Sequence, residues 1–299
     1  MKGDPVSEHD RLTERFEAHR GHLRAVAYRI LGSGSEAEDA VQEAWLRLAR
    51  ADVSRVDNLG GWLTTVVSRV CLDMRRSRAS RGAELLGHSV RGESDNAEYR
   101  GDPEQDAILV DSVGRALLVV LNTLGPAERI AFVLHDMYAV PFGEIAPIID
   151  RSPAAAKKLA SRARHKVRSR PSIRGPQLAR HRRVVEAFLA ASRAGDLDAV
   201  IAVLDPDVVR RADRSALALG RETEVRGARA VAEEIVVFGR NARFAALALI
   251  DGAVGLVVAP RGRLLLAVTF TIEGEKIAAY ELAADPSRLQ QLELAVLDE

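Results

Sequence analysis

Residues 141–169, PFGEIAPIIDRSPAAAKKLASRARHKVRS, constrain this chain more than any other stretch. An apolar run over 142–149 stops at Asp150-Arg151, and a second run starts after Ser152-Pro153. Ser152 is a side-chain cap for the N–H groups that open a helix. Pro153 takes the first helical position, where its missing N–H costs nothing. Two short helices joined by so tight a turn form a helix-turn-helix. Pro147 should kink or shorten the first of them. Residues 151–170 hold Arg151, Lys157, Lys158, Arg162, Arg164, Lys166, Arg168 and Arg170, and no acid. Ala154, Ala155 and Ala156 form a slim leading edge that fits a major groove. Lys157, Lys158, Ser161, Arg162 and Lys166 then reach bases or phosphates. The plainer alternative is a solvated basic helix in an ordinary bundle.

The net charge of the whole chain is +1, so only this local distribution speaks for nucleic acid. At 299 residues the chain should hold two or three domains. Helical periodicity runs through Leu12, Phe16, Leu23, Val26, Ala27, Ile30 and Leu31 and stops at Gly32-Ser33-Gly34. Ser33 with Glu36, or Ser35 with Glu38, offers a capping box for a helix over 35–50. Ala37, Ala40, Val41, Ala44, Leu46 and Leu48 make its apolar side. Asn58 begins a long helix through Trp62, Val66, Val67, Val70 and Met74 to Arg78. Residues 81–106 and 171–179 lose all period and read as linkers. Helices resume over 107–170, one of them spanning about 127–138.

The segment 180–299 changes character. Helices come first, then LDPDVVRRAD as a strand, then apolar runs broken by Asp251-Gly252 and Glu273-Gly274-Glu275 as hairpin turns. An α+β domain with an antiparallel sheet is expected. Its aromatic residues suit a pocket wall or an ordinary core. Asp205, Asp207, Asp213, Tyr280 and Glu281 are the acid–base candidates. Asp205-Pro206-Asp207 is more simply a turn, and Glu281 alternates with apolar neighbours toward solvent. No enzyme is predicted.

Cys71 is the one cysteine, and the seven histidines are scattered. Neither a disulfide framework nor a metal site follows, and no cofactor is expected. No run of roughly eighteen apolar residues exists to span a membrane. The charged start MKGDPVSEHDRLTERF lacks a secretory core, which points to the cytoplasm.

The segments AEDAVQEAWLRLAR and NLGGWLTTVVSRVCLDMRRSR resemble the second conserved region of extracytoplasmic-function (ECF) sigma factors. RIAFVLHDMYAVPFGEIAPIIDRSPAAAKKLASRARHKVR is similar to that family's fourth region. The resemblance implies two all-α helical domains, at 8–80 and 107–170, the second reading the −35 element. Ser152, Ala155, Lys157, Lys158, Ser161, Arg162 and Lys166 are its implied contacts. Asp39, Gln42, Glu43 and Arg47, with Trp45 nearby, would dock on the β′ clamp helices of core RNA polymerase. A solvated, salt-bridged helix face is the alternative. Asn58, Trp62, Thr65 and Arg69 would hold the melted −10 element, although Trp62 also reads as a core residue. Arg75, Arg76 and Arg78 would contact phosphates or complement a helix C-terminus.

Residues 180–299 resemble a SnoaL-like (cystatin-like) α+β cone, found fused to some ECF factors. The resemblance implies a domain that modulates activity, with an unknown small ligand as a further partner. The WLPEP-like, DGGG-like and NPDG-like motifs of such fusions are not present in clean form. Near the end stands Ala284-Asp285-Pro286-Ser287. The alternative function is a ligand-responsive helix-turn-helix regulator that works without polymerase.

Overall fold

The computed structural model of the chain describes residues 5–51, 56, 58–86, 114–168, 171–172, 175–218 and 220–297. Of the expected linker at 81–106, residues 87–106 lie outside these residues and 81–86 belong to a helix; of the linker at 171–179 only 173 and 174 lie outside, as does most of the 52–57 loop. The chain divides into two compact units, Met1–Val113 with Leu124–Arg164, and Gly114–Thr123 with His165–Glu299.

The first unit is helical. Helices α1 (Pro5–Leu31), α2 (Gly34–Arg50) and α3 (Leu59–Leu86) pack on one another. Gly32, with φ of 80°, ends α1 in the left-handed region that glycine adopts at low cost. Ser33 then caps α2, its Oγ accepting from the Glu36 N–H at 3.4 Å. The Glu36 carboxylate pairs with Arg78 instead of returning to the cap, so only half of the expected capping box forms. Ala37, Ala40, Val41, Ala44 and Leu48 are buried on one stripe of α2. Leu46 was expected with them. It is 47 % exposed, because it falls on the far side of the helix from that stripe.

Leu23, Val26, Ala27 and Ile30 of α1 and Leu63, Val67 and Cys71 of α3 complete this core. Burial pushes the Cys71 thiol up to about 12, which leaves it protonated and unreactive.

Helix α4 (Arg115–Asn122) belongs to the second unit. The first unit continues with α5 (Pro126–Phe132), a π-helical turn at Val133–Met137, α6 (Phe142–Ile149) and α7 (Pro153–Val167), whose last turn from His165 onward belongs to the second unit. The single helix expected over 127–138 is thus interrupted. Its wide turn ends at Ala139 with φ of 54°, and the His135 ring stacks on Phe142 at 3.9 Å. Helix α6 runs through Pro147 and ends two residues later, so the proline shortens it rather than breaking it.

Within this unit α5 and α6 pack against α3. Arg129 of α5 is fully buried, and its Nε donates to the Arg29 carbonyl at 2.8 Å. Arg75 of α3 donates to the Ile30 carbonyl at 3.1 Å. Both carbonyls belong to the last turn of α1, where the helix leaves acceptors unused and its dipole favours cations. That explains how arginines settle at so dry a place. Burial, with Arg75 and Arg78 nearby, holds the Arg129 pKa well below its ordinary value. Arg129→Ala uncaps a carbonyl and leaves a cavity. A loss of about 3 kcal/mol is expected, read as a lower urea midpoint of the first unit.

The second unit is α+β. Its helices are α4, α8 (Pro176–Ala194), α9 (Leu197–Val203), α10 (Ala228–Phe238) and α11 (Pro286–Gln291). Its strands are β1 (Leu204–Ala212), β2 (Glu224–Arg226), β3 (Ala245–Ile250), β4 (Ala253–Val258), β5 (Leu266–Glu273), β6 (Lys276–Ala283) and β7 (Leu294–Ala295). Helix α8 begins at Pro176, inside the stretch that reads as linker, because Gly175-Pro176 supplies a helix start.

The strands form one sheet in the order β2-β1-β6-β5-β4-β3-β7. The hairpins at Asp251-Gly252 and Gly274 pair antiparallel as expected. The sheet is nevertheless mixed, since β1 lies parallel to β6. Turn residues specify neighbours joined by a hairpin and say nothing of two strands this far apart in sequence. The core gathers Val185, Phe188 and Leu189 of α8, Val231 of α10, and Leu256, Val268, Ile277 and Tyr280 of the sheet.

Candidate functional site

The turn between α6 and α7 follows from its residues. Asp150 adopts φ of 55°, and its N–H returns to the Ala146 carbonyl. The Ser152 Oγ accepts from the Ala155 N–H at 3.2 Å and so caps α7. Ala156, Ala160, Ala163 and Val167 form the buried seam of α7. That spacing turns the other side outward. Ser152, Lys157, Lys158, Ser161, Arg162 and Lys166 are all exposed, and Ala155 is half-buried at the seam's edge. Arg164 is occupied differently, because it donates to Asp136 at 2.6 Å and fastens α7 to the π turn.

On α2, Asp39, Gln42 and Arg47 are exposed and Glu43 is half-buried. Glu43 and Arg47 pair at 3.0 Å, four residues apart. Trp45 points elsewhere and meets the Phe16 ring at 5.0 Å. Leu46 shares the outward face with Asp39, Gln42 and Glu43. The amphipathic pattern had placed it inside, and only its angular position on the helix could have revealed it.

Asn58, Trp62, Thr65 and Arg69 fall on one face of α3. The Asn58 Oδ1 accepts from the Gly61 N–H at 2.9 Å and caps the helix. Trp62 is half-buried, intermediate between a core residue and a free surface. The Thr65 Oγ1 donates to the Gly61 carbonyl at 3.1 Å. Arg69 is exposed and donates to the Pro147 carbonyl of α6 at 3.3 Å.

The acids of the second unit do not converge. Asp205 accepts from the Asp207 N–H at 2.9 Å, as a turn does. Glu281 pairs with Arg288 at 2.7 Å, and that bond holds its carboxyl below the usual range. Asp213 accepts three backbone N–H groups, from Ala216 at 2.9 Å, Ala284 at 2.8 Å and Asp285 at 2.9 Å. Burial works against its charge, yet those bonds outweigh it and hold the carboxyl below its ordinary value. Asp213 thereby ties the Ala284-Asp285 turn, whose Asp285 caps α11.

A depressed carboxylate adds stability above its unfolded pKa and loses it as pH falls through the folded value. Asp213→Ala should therefore cost about 2 kcal/mol at pH 7 and progressively less below about pH 4. Thermal melts of both proteins at pH 7 and pH 3 measure this.

Sequence reasoning missed Arg210 and Glu234. Val208, Arg210 and Ala212 alternate inward on β1, so a cation stands on the buried face of a strand. That alternation was the available signal. Among the described residues no set of His, Cys, Asp or Glu gathers as for a metal, and no helix is long and apolar enough to cross a membrane.

A helical module, a helix-turn-helix with a cationic outer face, and an α+β domain of the SnoaL-like cone type together define a multidomain DNA-binding transcription protein. Sigma-70 region 2 matches residues 15–81 and Sigma-70, region 4, matches residues 114–167. The ECF RNA polymerase sigma factor SigJ of Mycobacterium tuberculosis is 41 % identical over 254 residues, 82 % of this chain and 80 % of that one. A probable ECF factor of the same species, SigI, is 39 % identical over 70 % of this chain and 72 % of its own length. The SigJ crystal structure aligns at 35 % identity over 93 % of this chain and 98 % of that chain, with a TM-score of 0.45. The chain belongs to the ECF RNA polymerase sigma factor family, the factors that direct promoter-specific transcription initiation.

Proposed function

We propose that this chain binds core RNA polymerase through α2, reads a −35 element with α7 and holds a melted −10 element with α3. The observation that carries this reading is the outer face of α7. Lys157, Lys158, Ser161, Arg162 and Lys166 all face solvent on a stretch without a single acid. Ser152 and Ala155 at the helix start allow close approach to base edges.

On α2, Asp39, Gln42, Glu43 and Arg47 surround the exposed Leu46. An apolar centre ringed by charge suits docking on another helix, here the β′ clamp helices. On α3, Trp62 offers a stacking surface to an unpaired base, with Asn58, Thr65 and Arg69 along the same face. Arg69 is exposed and has only to release the Pro147 carbonyl to reach DNA.

Polymerase carries out the chemistry, and this chain acts in the cytoplasm as a non-enzymatic factor. Asp205, Asp213 and Glu281 serve turns and an ion pair, which supports that inference for the C-terminal domain too. The domain modulates activity and takes a small ligand in its cavity. Support for modulation comes from α4, which lies within the region 4 match yet packs in the second unit. Asn122 donates to the Gly262 carbonyl at 2.6 Å, and Arg115 lies 6.0 Å from the Phe244 ring centroid.

Reconstitution with core polymerase tests the proposal. A stable complex and promoter-specific transcripts are expected. Binding of duplex DNA as a dimer, with no complex with core polymerase, would point instead to a ligand-responsive helix-turn-helix regulator.

A further inference from the structure

A cavity of about 190 Å³ lies in the second unit between α8, α10 and the sheet. Its walls are mostly aliphatic, with Leu189, Ile235, Leu256, Val258 and Val268 among them. The polar side chains of the lining are Ser192, Arg210, Arg221, Glu234 and Tyr280, and all but the last are engaged. The Ser192 Oγ donates to the Phe188 carbonyl at 2.7 Å. Arg210 is 1 % exposed, and its charge is met by Glu234, whose Oε2 accepts from Nε at 3.1 Å and from Nη2 at 2.5 Å. Its Nη1 donates to the Glu222 carbonyl at 2.8 Å. Arg221 stands 3.8 Å from Glu234 Oε1, is half-exposed and makes a further interaction, so its charge is answered without a ligand.

The Tyr280 hydroxyl is the exception. Tyr280 is 5 % exposed and lies opposite Arg210 in the register of β1 and β6. Its ring is held between Phe188 and Phe270, at centroid distances of 5.7 and 6.0 Å. Its hydroxyl has no hydrogen-bond partner among the described residues. Burial raises its pKa, so it keeps its proton and can donate. A phenol buried this deeply ordinarily finds a partner. Water is a poor one here, because it needs roughly two to four polar neighbours and the other polar groups are taken.

We propose that this cavity binds a small, neutral, apolar molecule through a carbonyl oxygen that accepts from the Tyr280 hydroxyl. The inference rests on the reading that the C-terminal domain takes a small ligand, and it names the chemical class, a ketone or ester. The balanced pair of Arg210 and Glu234 disfavours an ion, which would leave its water and find no free counter-charge. An alcohol or amine would add a donor, whereas the one carboxylate of the lining is taken by arginine. A cavity of about 150 Å³ holds benzene, so this one suits a ligand of about eight to ten heavy atoms.

Calorimetric titration of the full chain with acetophenone, α-methylstyrene and benzoate tests the proposal. The three share one ring and nearly one size. The second carries a methylene in place of the carbonyl oxygen, and the third is an ion. Acetophenone should bind saturably, and benzoate at least about tenfold more weakly. Tyr280→Phe, which removes only the hydroxyl, should weaken acetophenone about tenfold and leave α-methylstyrene unchanged. Leu256→Trp fills the cavity and should abolish binding of both while the far-UV circular dichroism stays native. Should that variant melt early, Leu217→Trp, at a half-buried place in the lining, replaces it. Acetophenone binding that is lost in the filled variant but indifferent to Tyr280→Phe, or matched by benzoate, would overturn the neutral carbonyl class and keep the ligand reading. Acetophenone binding that survives the filled cavity would overturn the site. No saturable binding of any probe would overturn both the class and the ligand reading.

Discussion

Replacing Lys157 and Arg162 together by alanine should lower promoter affinity of the polymerase complex about a hundredfold, from roughly 1–3 kcal/mol at each position. Both side chains are exposed on α7, opposite its buried seam, so the substitutions leave the fold intact. Each contact to a phosphate also releases a counterion. If both positions touch phosphate, the slope of log affinity against log salt should fall by about two. If Arg162 instead touches a base, the slope falls by about one and discrimination at that base pair relaxes. Filter binding or fluorescence anisotropy at several salt concentrations separates these cases. Unchanged affinity at every salt would remove α7 from the −35 element.

Cutting the chain after Arg174 should reduce promoter-specific transcription at least about tenfold. The reason is α4, whose Leu118, Val119, Val120 and Leu121 are all buried. In the second unit this helix packs against β3, β7 and the turn at Pro260–Gly262. Four aliphatic side chains at about 1.5–3 kcal/mol each put several kcal/mol of burial at stake when those strands are removed. The last strand segment also reaches the end of α7, where the Val296 N–H donates to the Val167 carbonyl at 2.9 Å. The shortened chain should bind a hydrophobic dye and lose near-UV signal before it loses helix content. Transcription equal to or above that of the full chain would overturn this expectation. The substitution Asn122→Ala gives a milder test, because it removes one bond to Gly262 and leaves the domain in place.

The second helix of the helix-turn-helix was legible because its determinants lie within a few residues of each other. Ser152 caps, Pro153 starts, Asp150 turns, and the basic positions share one face. The hairpins were legible for the same reason. Leu46 was misplaced because an apolar residue was assigned inward by type, whereas its angle on α2 turns it out. Arg210 was overlooked because a strand cation is ordinarily solvated. Its burial depends on Glu234, which lies on a different element and pairs with it only after folding. Asp213 looked like a candidate base and proved to be a backbone tie, since its three donors come from both near and distant segments.

The helix-turn-helix with its cationic outer face was therefore determined by the sequence itself. Capping, turn geometry and helical spacing act over four residues or fewer and need no distant partner. The tertiary structure alone decided that β1 joins β6 in parallel and that α4 packs among the strands of the C-terminal domain. It alone brought Arg210, Glu234 and Tyr280 to one cavity. Those arrangements join segments far apart in the chain. Each is selected by the burial and hydrogen bonding of the assembled core, which no local pattern records.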